Sequence, residues 1–322
     1  MVPPITIPAT LAGIVFGITM LVLAARHGRV WVSILITGAA YGFLLEYSAV
    51  KTPDTYAYCP FPLMILGAVP AMIVITWGGL IYSLMRTSDA SRLPWWARPA
   101  YEGFIAMCVD LSLDPIAVEV GYWHYDVKDP NSWFGVPFGN YLGWFGMVFW
   151  FSLSIRFAAR RLRIETRPAW VQVLIPVVGA AAAVVPFGGS MWIYSKTISN
   201  TLAEPYIFFA FLLTVLAVLS LILPVVPRTA RIDPASIVAP MFFLIFQNAV
   251  LFLAPLLSAG HLVQTEPSLV ILTPMLTAFV LLLYVWPALD TIGARLRRSE
   301  VATDASTLTS GAGDAGTTAI DG

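Results

Sequence analysis

Asp110 and Asp114 stand four residues apart in the apolar stretch 100–120, a spacing that sets both carboxyls on one face of a helix. Two carboxyls this close in a low-dielectric interior do not both ionise at modest cost. One is expected to stay a neutral acid, which is what proton donation needs. The plainer alternative is that the pair only caps loosened backbone or hydrogen-bonds a neighbouring helix. Gly103, Met107, Ala117 and Gly121 continue the same face, and such mostly small residues let a second helix or a thin flat ligand approach. Pro115 follows Asp114 and cannot donate to the carbonyl of Leu111, so a kink and a free acceptor are expected beside the acids. Glu46 ends an earlier apolar stretch and could supply a third carboxyl, or could simply pair with Lys51.

Trp123, His124 and Tyr125, with Tyr122, Trp133 and Phe134, follow the acids in the chain. They have the composition of an interfacial aromatic belt, and they could equally line the mouth of a tunnel for an apolar polyene. Asn140, Tyr141 and Trp144 open the next apolar stretch and face the same region. Gln247 and Asn248 lie mid-stretch, where amides mostly bond across helices. The three histidines, His27, His124 and His261, are scattered, so a histidine-rich di-iron site is disfavoured and no metal is expected. Gly-rich nucleotide loops and nucleophile elbows are absent.

The elements that must position these groups follow from composition. The chain has 322 residues, 58% apolar, with 18 basic and 18 acidic side chains, only 11% charged. A soluble domain carries roughly a quarter charged residues, so a water-soluble enzyme and a disordered chain are both excluded. Zero net charge without a basic stripe argues against nucleic acid as a partner. Two cysteines exclude a disulfide scaffold and a cysteine-ligated metal cluster. What remains is an all-α, polytopic transmembrane helix bundle in a lipid bilayer.

Nine stretches approach the ~20 residues a helical span needs: 6–25, 31–47, 63–85, 100–120, 138–158, 169–187, 205–226, 236–257 and 268–289. All fifteen arginines, from Arg26 and Arg29 to Arg295, Arg297 and Arg298, fall on alternate loops, and only Lys51, Lys128 and Lys196 fall on the others. The bias sets the N-terminus outside and the C-terminus in the cytoplasm of a multi-pass cell-membrane protein. Residues 1–298 form the membrane domain. Residues 299–322, rich in Ser, Thr, Ala, Gly and Asp, form a disordered polar tail. No repeat of fixed period stands out.

The run Asp110-Leu-x-Leu-Asp114-Pro-x-Ala-x-x-x-Gly121-Tyr-Trp123, then Trp133-Phe-Gly-Val-Pro137 and Asn140-Tyr-Leu-Gly-Trp144, resembles the carotenoid hydratase family of carotenoid biosynthesis membrane proteins. That family includes the γ-carotene 1′-hydratase and bisanhydrobacterioruberin hydratase types. Glu46-x-x-x-Val-Lys-Thr-x-x-x-Tyr56-x-Tyr58, with Pro70 and Trp77, is similar to its earlier motif. The match spans roughly residues 40–150. The resemblance implies addition of water to the terminal double bond of an acyclic carotenoid end group, giving a tertiary alcohol without a cofactor. For such a reaction either Asp110 or Asp114 is the expected proton donor, and the second carboxylate, or Glu46, is expected to stabilise the cation and deprotonate the water. Trp123, His124, Tyr125, Asn140, Trp144, Tyr58 and Trp77 are the expected substrate contacts. Other membrane enzymes of the pathway are expected partners. A non-catalytic carotenoid carrier and a proton-coupled transporter are the competing classes.

Overall fold

The computed structural model describes residues 2–53, 55–91, 93–126, 131–222, 233–253 and 267–285. The tail 299–322, His261, Lys128, Arg92, Arg228, Arg231 and the last three arginines lie outside them. Among the described residues there are nine long helices, each overlapping one expected stretch. They are α1 (Thr6–His27), α2 (Arg29–Lys51), α3 (Ala71–Ala90), α4 (Arg98–Glu119), α5 (Phe138–Leu162), α6 (Ala169–Thr197), α7 (Glu204–Ile222), α8 (Pro234–Leu253) and α9 (Pro267–Val285).

Six of the nine are long and apolar enough to cross a membrane; α3, α4 and α9 fall outside that measure. For α4 the reason is its charged side chains. It carries Glu102, Asp110 and Asp114, yet almost every residue from Pro99 to Ala117 is enclosed by protein, so it needs no lipid-facing surface. The opposite pattern marks α1, whose Ile7, Leu11, Val15, Ile18 and Val22 form an exposed apolar stripe at helical spacing. Helices α2, α3, α4, α5 and α6 each pack on the next, and α6 returns to α2, so the five close a ring. Outside the ring, α1 and α8 cover α3, and α9 covers α4.

The expected third stretch starts too early. Residues 63–70 are apolar, but Met64–Ile65 (β2) and Val69–Pro70 (β3) pair as a hairpin, and α3 begins only at Ala71. Pro70 explains the boundary, because proline is accommodated where a helix begins but not within it. Ser132–Trp133 (β5) and Val136–Pro137 (β6) repeat this device before α5. Phe134 (φ 51°) and Gly135 (φ 79°) form its two-residue turn, with positive φ at both positions as such hairpins require.

These elements make up a tandem repeat that the sequence alone did not disclose. Helix α2, strand Tyr56–Tyr58 (β1), the first hairpin and α3 are followed by α4, strand Trp123–Tyr125 (β4), the second hairpin and α5, in the same order. Tyr58 and Tyr125, Val69 and Val136, Pro70 and Pro137, Trp77 and Trp144, and Gly79 and Gly146 are each separated by 67 positions. Glu46 and Asp114 are separated by 68. The glycines play matched parts. Gly79 leaves room for Phe16 of α1, and Gly146 for Phe187 of α6, where an added Cβ would sit 2.3 and 3.2 Å from the ring. β1 and β4 pair antiparallel about Ala57 and His124, the local form of a two-fold relation between the units.

Candidate active site

The antiparallel β1–β4 pair lies over the end of the ring that carries the hairpins, and beneath it is a cavity. Strand alternation sorts its residues. Trp123 and Tyr125 point in and line the cavity, whereas His124 points out, with its side chain two-thirds exposed and its Nε2 3.4 Å from Asp126. His124, expected at the substrate, is therefore apart from the site. Tyr58, Trp77, Asn140 and Trp144 line the cavity, as do Glu46 and Asp114.

The two aspartates hold different positions. Asp114 faces the cavity; Asp110 is fully buried behind it. Asn140 at the start of α5 uses its amide nitrogen to bridge them, donating to Asp110 Oδ2 at 2.8 Å and to Asp114 Oδ2 at 2.6 Å. Tyr125 donates its hydroxyl to the same Asp114 oxygen at 2.8 Å. Both carboxyls thus crowd one amide nitrogen in a buried setting, where two negative charges side by side are costly. Asp110 Oδ1 is buried with no hydrogen-bond partner among the described residues.

The acceptor that Pro115 frees is taken. The carbonyl of Leu111 receives the indole Nε1 of Trp133 at 3.1 Å, which fastens the second hairpin to α4 where that helix lacks its own hydrogen bond.

Glu46 is set up in the opposite way. Tyr56 and Tyr58 donate their hydroxyls to Oε2, the latter at 2.7 Å, and Trp77 donates Nε1 to Oε1 at 2.8 Å. Three donors converge on a side chain only 8% exposed, the environment of a carboxylate anion. Lys51 is not its partner; that ammonium lies over the Tyr47 ring at 5.5 Å. Burial, reinforced by the charge of Glu46, pushes the Tyr56 and Tyr58 phenols well above their usual range. Burial and then Asp114 do the same to Tyr125. All three therefore remain donors at neutral pH.

A family model described as carotenoid biosynthesis protein matches residues 9–204. The chain belongs to the carotenoid biosynthesis protein family. No curated protein and no solved structure matches it. The family region runs from α1 to the first residue of α7 and contains both repeats and every acid of the cavity. A carotenoid pathway and six apolar helices of spanning length together fit a membrane protein working on a polyene in lipid.

Several cavity residues had not been singled out from the sequence as site residues. Tyr56 lay within the quoted motif, but its contact with Glu46 depends on strand alternation. Ile73, Thr76, Leu80 and Leu113 carry no chemical signal in an apolar helix. Phe243 reaches the cavity from α8, outside the family region.

Proposed function

We propose that the protein is a cofactor-independent carotenoid hydratase. It would add water to the terminal double bond of an acyclic carotenoid end group of the bisanhydrobacterioruberin, γ-carotene or lycopene kind. The observation that carries this is one cavity faced by two unlike carboxyl settings. Asp114 belongs to a buried aspartate pair bridged by a single amide, a setting that favours one neutral acid, whereas Glu46 accepts from three donors.

In the proposed reaction Asp114 hands its proton to the CH carbon of the terminal alkene, leaving a tertiary carbocation. Asp110 acts through Asp114, and Asn140 holds the two in register. The Glu46 carboxylate stabilises the cation across the cavity. The faces of Trp123 and Trp144 add about 1–2 kcal/mol each by cation–π attraction in a desolvated site. Water adds its oxygen to the cation. Its surplus proton passes to a carboxylate, returning the acid/base set to its starting charge. The net change is one water gained and no electrons moved, so the chemistry calls for no redox partner.

The test is expression of the full chain in a strain that accumulates lycopene-type pigments, followed by mass analysis. A gain of one water at an end group is expected. Abundant, membrane-inserted protein with unchanged pigment would overturn the proposal. The duplicated unit gives some support to transport, because parallel repeats related by an axis along the membrane normal occur in transporters. A transporter would leave the pigment chemically unaltered, so the same measurement separates the two.

A further inference from the structure

Resting on the hydration proposed above, we infer that Phe243 of α8 determines which end groups enter. The polyene chain would leave the cavity along the seam between α3 and α4, beneath α8.

The cavity offers little free space, far less than a whole carotenoid fills. Only an end group can sit inside; the rest of the chain must pass between helices. Three seams of the ring are shut by glycine contacts. Gly38 meets Gly78 between α2 and α3 at 3.5 Å from an added Cβ, Gly103 meets the Phe145 carbonyl between α4 and α5 at 2.8 Å, and Gly179 meets Ile155 between α5 and α6 at 2.7 Å. Between α6 and α2, Ser33 donates to the Val173 carbonyl at 2.6 Å.

The α3–α4 seam is different at the level of the acids. There the cavity wall is hydrocarbon: Ile73 and Leu80 from α3, Leu113 from α4, and Phe243, 4% exposed, from α8 lying across both. Thr76 and Trp77 of α3 and Asp114 of α4 line the cavity beside them. An acyclic isoprenoid with its terminal alkene between Asp114 and Glu46 would meet this apolar part of the lining, where the contacts that shut the other seams are replaced by side chains.

Helix α8 is pinned on either side of this point. Ser83 donates to the Ala235 carbonyl at 2.6 Å, and Ser112 donates to Gln247 Oε1 at 3.1 Å. Phe243 lies between those anchors, so its ring is a fixed wall. The family model ends before α8, so the acid chemistry and the shape of the entrance come from different parts of the chain.

The experiment uses full-length protein with Phe243→Leu, Phe243→Ala and Phe243→Trp. Each is expressed in strains making lycopene, with two acyclic ends, or β-carotene, with two cyclised ends. Pigment retained by the purified protein is measured separately from hydrated product. Wild type should retain lycopene and discriminate against β-carotene. Phe243→Ala and Phe243→Leu should narrow that preference by roughly 10-fold or more, and Phe243→Trp should lower lycopene retention by a similar factor, as expected for reshaping an apolar pocket. Unchanged selectivity in all three folded variants would overturn the inference, whatever product is made. If wild type retains lycopene without hydrating it, hydration is refuted while the role of Phe243 stands or falls on retention alone.

Discussion

The indoles of Trp77 and Trp144 meet with ring centroids 4.4 Å apart, and each lies seven residues beyond the proline that precedes its helix. Two equivalent side chains from consecutive units thus touch each other beside the cavity. Trp77 spends its Nε1 on Glu46, so its ring is fixed. Trp144 leans on it at 45°. The pair joins the anionic and the proton-bearing halves of the site.

Asp114→Asn and Asp110→Asn should separate in effect. Asp114 faces the cavity, so its amide variant should lose about 10²–10⁴-fold in hydration rate, the usual worth of general acid catalysis. Asp110 is one layer back, and its variant should retain more activity. Hydrated pigment per unit of membrane-inserted protein is the measure. Equal retention of full function in the double variant would favour a carrier.

Glu46→Gln replaces an acceptor of three hydrogen bonds by an amide whose nitrogen faces donors. Each bond to a charged acceptor is worth about 1.5–3 kcal/mol, so the thermal midpoint in detergent should fall together with product formation. A variant with wild-type stability and product would remove Glu46 from the proposed mechanism.

Gly42→Ala tests the seat of Trp77. An added Cβ would stand 2.6 Å from Trp77 Cβ and 2.7 Å from its Cγ, atoms that cannot swing aside without moving the indole. Overpacking of this kind costs about 1–3 kcal/mol, and displacement of Nε1 from Glu46 adds to it. A lowered melting midpoint and a changed tryptophan emission spectrum are expected.

Alkaline pH should weaken the fold. Tyr56, Tyr58 and Tyr125 are held above the usual phenol range when folded, whereas an unfolded tyrosine ionises near pH 10. The folded state therefore keeps protons that the unfolded state releases. Their contribution is complete below about pH 10 and declines as pH rises above it. Thermal melts should show it, and absorbance titration should find these phenols silent until unfolding.

The helices and the depth of the acids were legible in the sequence, because apolar length and the cost of buried charge are local properties. Asp110, Asp114 and Glu46 stood out for that reason. His124 did not separate from Trp123 and Tyr125, since the facing of three consecutive aromatics depends on their forming a strand. The repeat is faint in the sequence because few identities survive between the units. The register also wavers, 68 at Glu46 and Asp114, 67 at Tyr58 and Tyr125, 68 again at the first hairpin strands, and 67 after turns of unequal length, Leu66-Gly67-Ala68 against Phe134-Gly135. Phe243 carried no signal, because a phenylalanine in an apolar helix looks the same whether it faces lipid, protein or ligand.

Gly42 occupies in the first unit the place that Asp110 occupies in the second, 68 positions on. A symmetric dimer of identical subunits must carry the same residue at both such places. Linking the two copies in one polypeptide lifts that constraint. One copy can keep glycine to admit an indole while the other installs a second acid, and a centre with unlike sides can arise from like parts.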